Sequence, residues 1–463
     1  MTKPKIGLLP LYLELYDRVL PEARPQIDNF YTAIVRELGN RGLEIATSLV
    51  CRLRPEFEAA IESFESSGTD AIVTLHLAYA PSLESVDALA KSKLPIILLD
   101  TTPSYGYGPQ QDPAALMYNH GIHGVQDLCN LLIRRGKSFQ IEAGHWEQSD
   151  VLDRVVAWAC AAALARRMRT ARVGLIGKPF AGMGDFTVPA EILHATIGVQ
   201  TVSCDFAALR SLVPNEQDEE VASEMAADRA RFATEAVTSD DHRRTTRACL
   251  AIRRWMEREQ LTAFTMNFEE VNRSTGLPTA PFLEASKAMA RGCGYAGEGD
   301  VLTAALVGVL AQTYGDTSFT EMFCPDWQNE SIFISHMGEM NVDLAEGQAV
   351  LLTREMPWVD ADPPVIAVGR FRAGEAVLLN LAPGPDDSFT LIVSPVTMLG
   401  VEGKDRMADS IRGWFRPRLL ISDFLEEYSR LGGTHHSALV YGEFTEDIVR
   451  FGEIMGWKVA VLG

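Results

Sequence analysis

Gly294-Tyr295-Ala296-Gly297-Glu298-Gly299-Asp300 leads into an apolar helical stretch, Leu302 to Leu310. It continues through Thr317-Ser318-Phe319-Thr320-Glu321-Met322-Phe323 and closes on Ile332-Phe333-Ile334-Ser335-His336-Met337. This run separates two textures of sequence. Before it, apolar strands alternate with helices; from about residue 318, short β-rich segments follow one another between turns. Glu298, Glu321 and His336 each stand at the end of an apolar segment, where backbone geometry can hold a side chain firmly. An imidazole pair follows near the C-terminus in Gly432-Gly433-Thr434-His435-His436-Ser437. Two Glu and two His form a mixed oxygen and nitrogen set suited to Mn²⁺, Co²⁺, Zn²⁺ or Fe²⁺, with positions left open for a substrate. Taken singly, each has an ordinary reading. A Glu between glycines is often a solvated loop residue, and a strand His is more often a satisfied core residue. Their spacing is far looser than a compact motif such as His-Glu-x-x-His. Asp300 suits the N-cap of a helix starting at Val301; a second, compatible role is to orient Glu298 or His336 from behind.

Upstream, residues 5–10 read as a buried strand, followed by a helix with a stripe of Ile27, Phe30, Tyr31, Ile34, Val35 and Leu38. Strand-like runs at 43–50, 71–75 and 94–100 alternate with helices around Phe57–Phe64 and 82–92. Near-continuous apolar strands between helices predict a parallel sheet covered on both faces. A helix over 151–168 ends in basic residues, as a helix C-terminus favours. A second α/β series runs through strands at 172–176, 199–204 and 262–268 and a charged helical region at 215–260. Downstream, β segments at 331–336, 348–353, 364–371, 376–381 and 389–396 are separated by Pro/Gly/Asp turns, which predicts an antiparallel barrel or sandwich. The expected fold is therefore α/β: two doubly wound parallel-sheet domains, 1–170 and 171–317, then a mainly antiparallel β domain, 318–463. The second carries Glu298; the third carries Glu321, His336 and His436.

Ligands in parallel sheets bind beyond the carboxyl ends of strands. That draws attention to His76-Leu77-Ala78-Tyr79, directly after a strand, and to Asn119-His120-Gly121-Ile122-His123-Gly124, which opens a helix. These side chains suit sugar hydroxyls, or they cap backbone groups. Gly174-Leu175-Ile176-Gly177-Lys178 lacks the phosphate-loop pattern, and Gly182-Met183-Gly184-Asp185 has no strand leading directly into it, so no nucleotide cofactor is expected.

The chain has 463 residues, 47% apolar and 22% charged, which fits a globular protein of two or three domains. With 42 basic and 62 acidic residues, its net charge of −20 argues against non-specific binding to nucleic acid or anionic membranes. Seven scattered cysteines, with no Cys-x-x-Cys, favour a reducing compartment over a disulfide framework. No window approaches a membrane span, and a cytoplasmic protein is expected.

Gly-Tyr-x-Gly-Glu-Gly-Asp, Thr-Ala-Ala-Leu, Thr-Ser-Phe-x-Glu, Ser-His-Met-x-Glu and Gly-x-His-His occur here in the same order as the metal-site segments of L-arabinose isomerase, which this chain resembles. L-fucose isomerase is a more distant likeness. The resemblance implies three domains of the kinds read above and an aldose–ketose isomerase working through C1–C2 proton transfer and an enediol. It implies the metal ligands Glu298, Glu321, His336 and His436, with Glu298 and Glu321 also catalytic. It implies Mn²⁺ first, with Co²⁺, Mg²⁺ or Fe²⁺ as alternatives. Substrate contacts would come from His123, His120, Tyr79, Phe268 and His435, and Asp300 would support the site from behind. A homo-oligomer, tetramer or hexamer, with sites between subunits is implied as well. The N-terminal loops depart from the family: Pro10-Leu11-Tyr12-Leu13-Glu14 replaces Gln-x-Leu-Tyr-Gly, and His120 stands where Gln is expected. These departures bear on which sugar is used. Two further readings stay open: a sugar-binding relative without turnover, and a metal-dependent hydrolase or lyase of a sugar derivative.

Overall fold

Five strands begin the chain, and their burial follows their composition. The computed structural model describes residues 3–357, 359–403 and 405–463, in two units, Met1–Arg166 and Arg167–Gly463. In the first, β1 (Lys5–Leu11), β2 (Glu44–Thr47), β3 (Ala71–His76), β4 (Ile96–Asp100) and β5 (Gln140–Ala143) form a parallel sheet in the order β2-β1-β3-β4-β5. The central strands β1, β3 and β4 are almost wholly buried, whereas the edge strands β2 and β5 are not. Because strand order reverses after β1, right-handed crossovers place helices on both faces. Helix Arg24–Asn40 buries Ile27, Phe30, Ile34 and Leu38 of the expected stripe. Tyr31 lies at its margin and donates its hydroxyl to the Ser48 carbonyl at 3.2 Å. Gly7 lets helix Arg54–Ser66 close onto β1: a Cβ there would stand 2.4 Å from the Phe64 ring.

The second unit joins two kinds of sheet. Strands β6 (Arg172–Ile176), β7 (Gln200–Ser203), β8 (Ala263–Met266) and β9 (Gly294–Gly297) are parallel, in the order β7-β6-β8-β9. Beyond them lie β10 (Thr317–Asp326), β11 (Ser331–Ser335), β12 (Val350–Thr353), β13 (Val365–Val368), β14 (Gly374–Pro383), β15 (Phe389–Met398), β16 (Gly413–Pro417), β17 (His436–Tyr441) and β18 (Lys458–Val461). Six of these close an antiparallel barrel, β14-β17-β10-β11-β16-β15, with β15 returning to β14 and β18 added in parallel on β15. β12 and β13 form a separate ribbon.

Helix Val301–Tyr314 connects β9 to β10 and buries every residue from Val301 to Ala311. A helix apolar all round has no solvent face to present, and this one packs against both sheets. β9 approaches it so closely that a Cβ on Gly294 would stand 2.1 Å from the Ala304 carbonyl oxygen. The helix Phe282–Ala290 before β9 is fixed by charge: Lys287 is held between Glu224 and Asp228, and fully buried Glu284 pairs with Arg253 and Arg291. Among the described residues no helix is long and apolar enough to cross a membrane, and all seven cysteines are free.

Candidate active site

Three backbone devices bring the second unit's carboxylates and imidazoles together. The first is the turn after β9. Glu298 has φ +63°, in the left-handed region that a non-glycine residue occupies at a cost on the order of 1 kcal/mol. Its neighbours leave no slack: a Cβ on Gly297 would meet the His336 ring at 2.9 Å, and one on Gly299 would meet Pro179 at 2.6 Å. The Phe180 N–H donates to the Glu298 carbonyl at 2.8 Å, and the Gly299 N–H to Thr265 Oγ1 at 3.1 Å. The second device is register. Glu321 on β10 lies opposite His436 on β17 and opposite Ser335 on β11, so His336 follows one residue beyond. Directly opposed residues share a face, which turns Glu321 and His436 the same way. The third is Asp300, the N-cap of helix Val301–Tyr314. One carboxylate oxygen accepts from the Thr303 N–H and the other from His436 Nδ1, both at 2.9 Å. Asp300 thus reaches His436, not Glu298 or His336.

The result is a tight cluster. His436 Nε2 lies 3.1 Å from Glu321 Oε1 and 3.4 Å from Glu298 Oε2; His336 Nε2 is 3.3 Å from Glu321 Oε1, and His435 Nε2 is 3.7 Å from Glu298 Oε2. One ligand atom each from Glu298, Glu321, His435 and His436 falls within 4.8 Å of all the others. Glu298 Oε2 and His436 Nε2 are buried with no hydrogen-bond partner among the described residues. Burial pushes the carboxyls up, but the facing imidazoles outweigh it: Glu298 is lowered to about 2 and Glu321 falls well below the usual carboxylate range. Burial works against charge on the imidazoles too. Glu339 and Glu321 outweigh it at His336, raised to about 10, and Asp300 leads the groups that raise His436 well above its ordinary value. These opposite shifts favour positive imidazoles against negative carboxylates, and a cation at the same point would compete with the imidazole protons.

Several contributors carried no role in the sequence reading. Glu339 Oε2 accepts from His336 Nδ1 at 2.6 Å, while its Oε1 accepts from the Tyr295 hydroxyl at 2.5 Å. Its position three residues after His336, in Ser335-His336-Met337-Gly338-Glu339, was the available signal. Asp185 accepts from His435 Nδ1 at 2.7 Å. Phe186 stacks on His436, with ring centroids 4.7 Å apart, and Phe319 stands between His336 and His436. Phe268, expected as a substrate wall, packs half-buried on Phe180, whose main chain binds Glu298.

Tyr79, His120 and His123 belong to the first unit. His120 Nε2 takes a 2.9 Å hydrogen bond with the Tyr16 hydroxyl, and its ring meets that of exposed His123 at 6.0 Å. His76 is buried beneath them, where a Cβ on Gly124 would collide with its ring at 2.4 Å.

Residues 188–314 match the L-arabinose isomerase central domain, and residues 316–458 match the L-arabinose isomerase C-terminal domain. The chain belongs to the L-arabinose isomerase family. These two matched segments contain Glu298, Asp300, Glu321, His336, Glu339, His435 and His436. L-arabinose isomerase of Anoxybacillus flavithermus is 25% identical, over 95% of this chain and 90% of its own length. That of Nocardioides sp. is 27% identical, over 82% of this chain and 77% of its own. The L-arabinose isomerase family is one of sugar isomerases, intramolecular oxidoreductases that exchange aldose and ketose.

Proposed function

We propose that this chain, a sugar isomerase by family, interconverts an open-chain aldose and its ketose by C1–C2 proton transfer, with a divalent cation at the cluster. The observation that supports this reading is the convergence of Glu298, Glu321, His435 and His436, with Glu298 Oε2 and His436 Nε2 buried, facing one another's charges, and without a hydrogen bond among the described residues. The donor set fits such an ion. The far nitrogens of His336 and His436 are bonded to Glu339 and Asp300, the arrangement that holds ligating histidines. Glu298, Glu321, His336 and His436 would hold it, Mn²⁺ in first place and Co²⁺, Mg²⁺ or Fe²⁺ as alternatives. When bound, it would polarise the sugar's carbonyl and neighbouring hydroxyl oxygens.

The side chains do the proton work. A carboxylate beside C2 of the aldose takes that carbon's proton, and the C–H electron pair becomes the C1=C2 bond of an enediol. The proton returns at C1, while the O2 hydroxyl gives up its proton and O1 ends as a hydroxyl. We assign this proton work to Glu298 and Glu321, the two carboxylates of the cluster. Phe186 and Phe319 cover the His436 ring and keep water from that side.

The altered loops around Tyr12, Glu14 and His120 make L-arabinose a poor substrate, since a site that leaves polar groups unpaired rejects an analogue by up to about 10⁴-fold. The test is bound-metal content measured alongside a screen of pentoses, 6-deoxyhexoses and tetroses. We expect turnover of one of these, lost on chelation and restored by Mn²⁺, with L-arabinose far behind. Sugar binding without turnover would instead support the non-catalytic reading, and L-arabinose turnover equal to the best sugar would sink the substrate argument.

A further inference from the structure

We propose that Asp185 is a positioning residue that turns His435 toward a substrate hydroxyl beside Glu298. This rests on the isomerase reading of the site. Asp185 Oδ2 accepts twice from one residue, from the His435 backbone N–H at 3.0 Å and from its Nδ1 at 2.7 Å. An ionised carboxylate only accepts, so Nδ1 carries a proton and the ring is held with Nε2 3.7 Å from Glu298 Oε2.

His435 and His436 are adjacent, yet their surroundings separate their roles. The His436 side chain is fully buried and lies within 3.4 Å of both Glu298 and Glu321; that of His435 is 36% exposed and comes to 3.7 Å of Glu298, with Glu321 farther off inside the same cluster. His435 therefore stands at the open side of the cluster, where a sugar approaches. Asp185 lies on the segment between β6 and helix Ala190–Thr196, and three neighbours on that segment fix it in place. Phe180 binds the Glu298 carbonyl, Pro179 packs against Gly299, and Phe186 packs against both His435 and His436. The segment thus grips each part of the cluster that Asp185 has to align. In this arrangement Asp185 holds the His435 ring with Nε2 toward the point where a hydroxyl of the open-chain sugar approaches. Gly182-Met183-Gly184-Asp185, uninformative as a dinucleotide signature, acquires a role.

Asp185→Ala tests this by removing the oxygen that accepts from both His435 N–H groups. Asp185→Asn, whose carbonyl oxygen can take the place of Oδ2, should keep the ring in place and stay close to wild type. With Mn²⁺ loaded, we expect kcat/KM of Asp185→Ala for the sugar that the wild type uses to fall about 100-fold. Affinity for the corresponding non-reacting alditol, drawn from pentitols and 6-deoxyhexitols and measured by calorimetry, should fall about tenfold. Mn²⁺ affinity should stay within about threefold, because the four proposed ligands are untouched. In a His435→Gln background, Asp185→Ala should change neither alditol affinity nor rate. Wild-type values in Asp185→Ala, an equal loss in the His435→Gln background, or a fall in Mn²⁺ affinity that places His435 among the ligands would each overturn the proposal. A wild-type protein that binds alditol but turns over no sugar refutes the isomerase reading alone, and the alditol comparison then still decides the role of Asp185. Absence of alditol binding by the wild type overturns both.

Discussion

Asp300 caps a helix with one oxygen and holds His436 with the other, so two substitutions separate its duties. Asp300→Ala removes the cap, worth about 1 kcal/mol. It also leaves the wholly buried His436 Nδ1 without its acceptor, a further cost of about 1–3 kcal/mol. The second unit should lose roughly 2–4 kcal/mol, read as a melting point lower by a few degrees per kcal/mol. Asp300→Asn keeps an oxygen for the Thr303 N–H, and Asn caps about as well as Asp. Its other atom is now an amide nitrogen that cannot accept from Nδ1. The imidazole has to shift its proton to Nε2, the atom that faces Glu321 and Glu298. Stability should therefore stay within about 1 kcal/mol of wild type, while Mn²⁺ affinity falls about 10–100-fold. Thermal unfolding in chelator measures the first quantity, and titration of free Mn²⁺ by electron paramagnetic resonance measures the second. Asp300→Asn binding Mn²⁺ as tightly as wild type would reduce Asp300 to a cap; Asn melting as early as Ala would show that the His436 bond dominates stability.

Two further outcomes are expected. Burial pushes the His76 pKa down from 6.5 to about 4, and neither ring nitrogen has a hydrogen-bond partner among the described residues. The unfolded chain takes up this proton near pH 6.5, and the folded unit refuses it until about pH 4, so stability is full above 6.5 and is lost as pH falls through that window, by about 3 kcal/mol. His76→Leu should flatten this limb in denaturant titrations of the first unit; an unchanged slope would assign the acid sensitivity elsewhere. For assembly, we propose a homo-oligomer, tetramer or hexamer, in which His123 of one chain serves the cluster of another. Glu298→Gln and His123→Ala proteins should each be nearly inactive, and mixed hybrids should recover turnover; hybrids that stay inactive would count against shared sites.

Composition and periodicity made the central elements legible because burial leaves a strong mark on them. β1, β3 and β4 read as continuous apolar runs, and Leu302–Leu310 carries no polar stripe because sheets cover it on both sides. The edges were harder. Gln140-Ile141-Glu142-Ala143 pairs only with β4 and stays half-exposed, so β5 has neither length nor an apolar face to announce it. Gly413–Pro417 is bracketed by two residues poor in strands, yet it completes the barrel between β11 and β15. At the site, Glu298, Glu321, His336 and the His435-His436 pair each lie at the end or start of an apolar segment, but their loose spacing left ordinary readings open, and it was the ordered likeness to L-arabinose isomerase segments that singled them out. Their supports were hidden in proportion to sequence distance. Glu339 is three residues from His336, whereas Asp185 is 250 residues from His435 and no local pattern links them.

The site's rigidity follows from where its members are anchored. Glu298 ends a parallel sheet; Glu321 and His436 face each other across two barrel strands. Helix Val301–Tyr314 is packed between those sheets and carries the chain from Glu298 to β10 of the barrel. Asp300 sits at that joint and bonds across to His436, so the helix start and the imidazole are held by one carboxylate. Register shift is possible in an isolated ribbon, but here a one-residue slip of β10 would turn Glu321 away from His436 and bury it on the opposite face. Closure of the barrel by the β14–β15 pairing opposes such a slip, because every strand's register then depends on its neighbours around the ring. A change that frays the helix's first turn therefore reaches His436 through Asp300 before it reaches the barrel core.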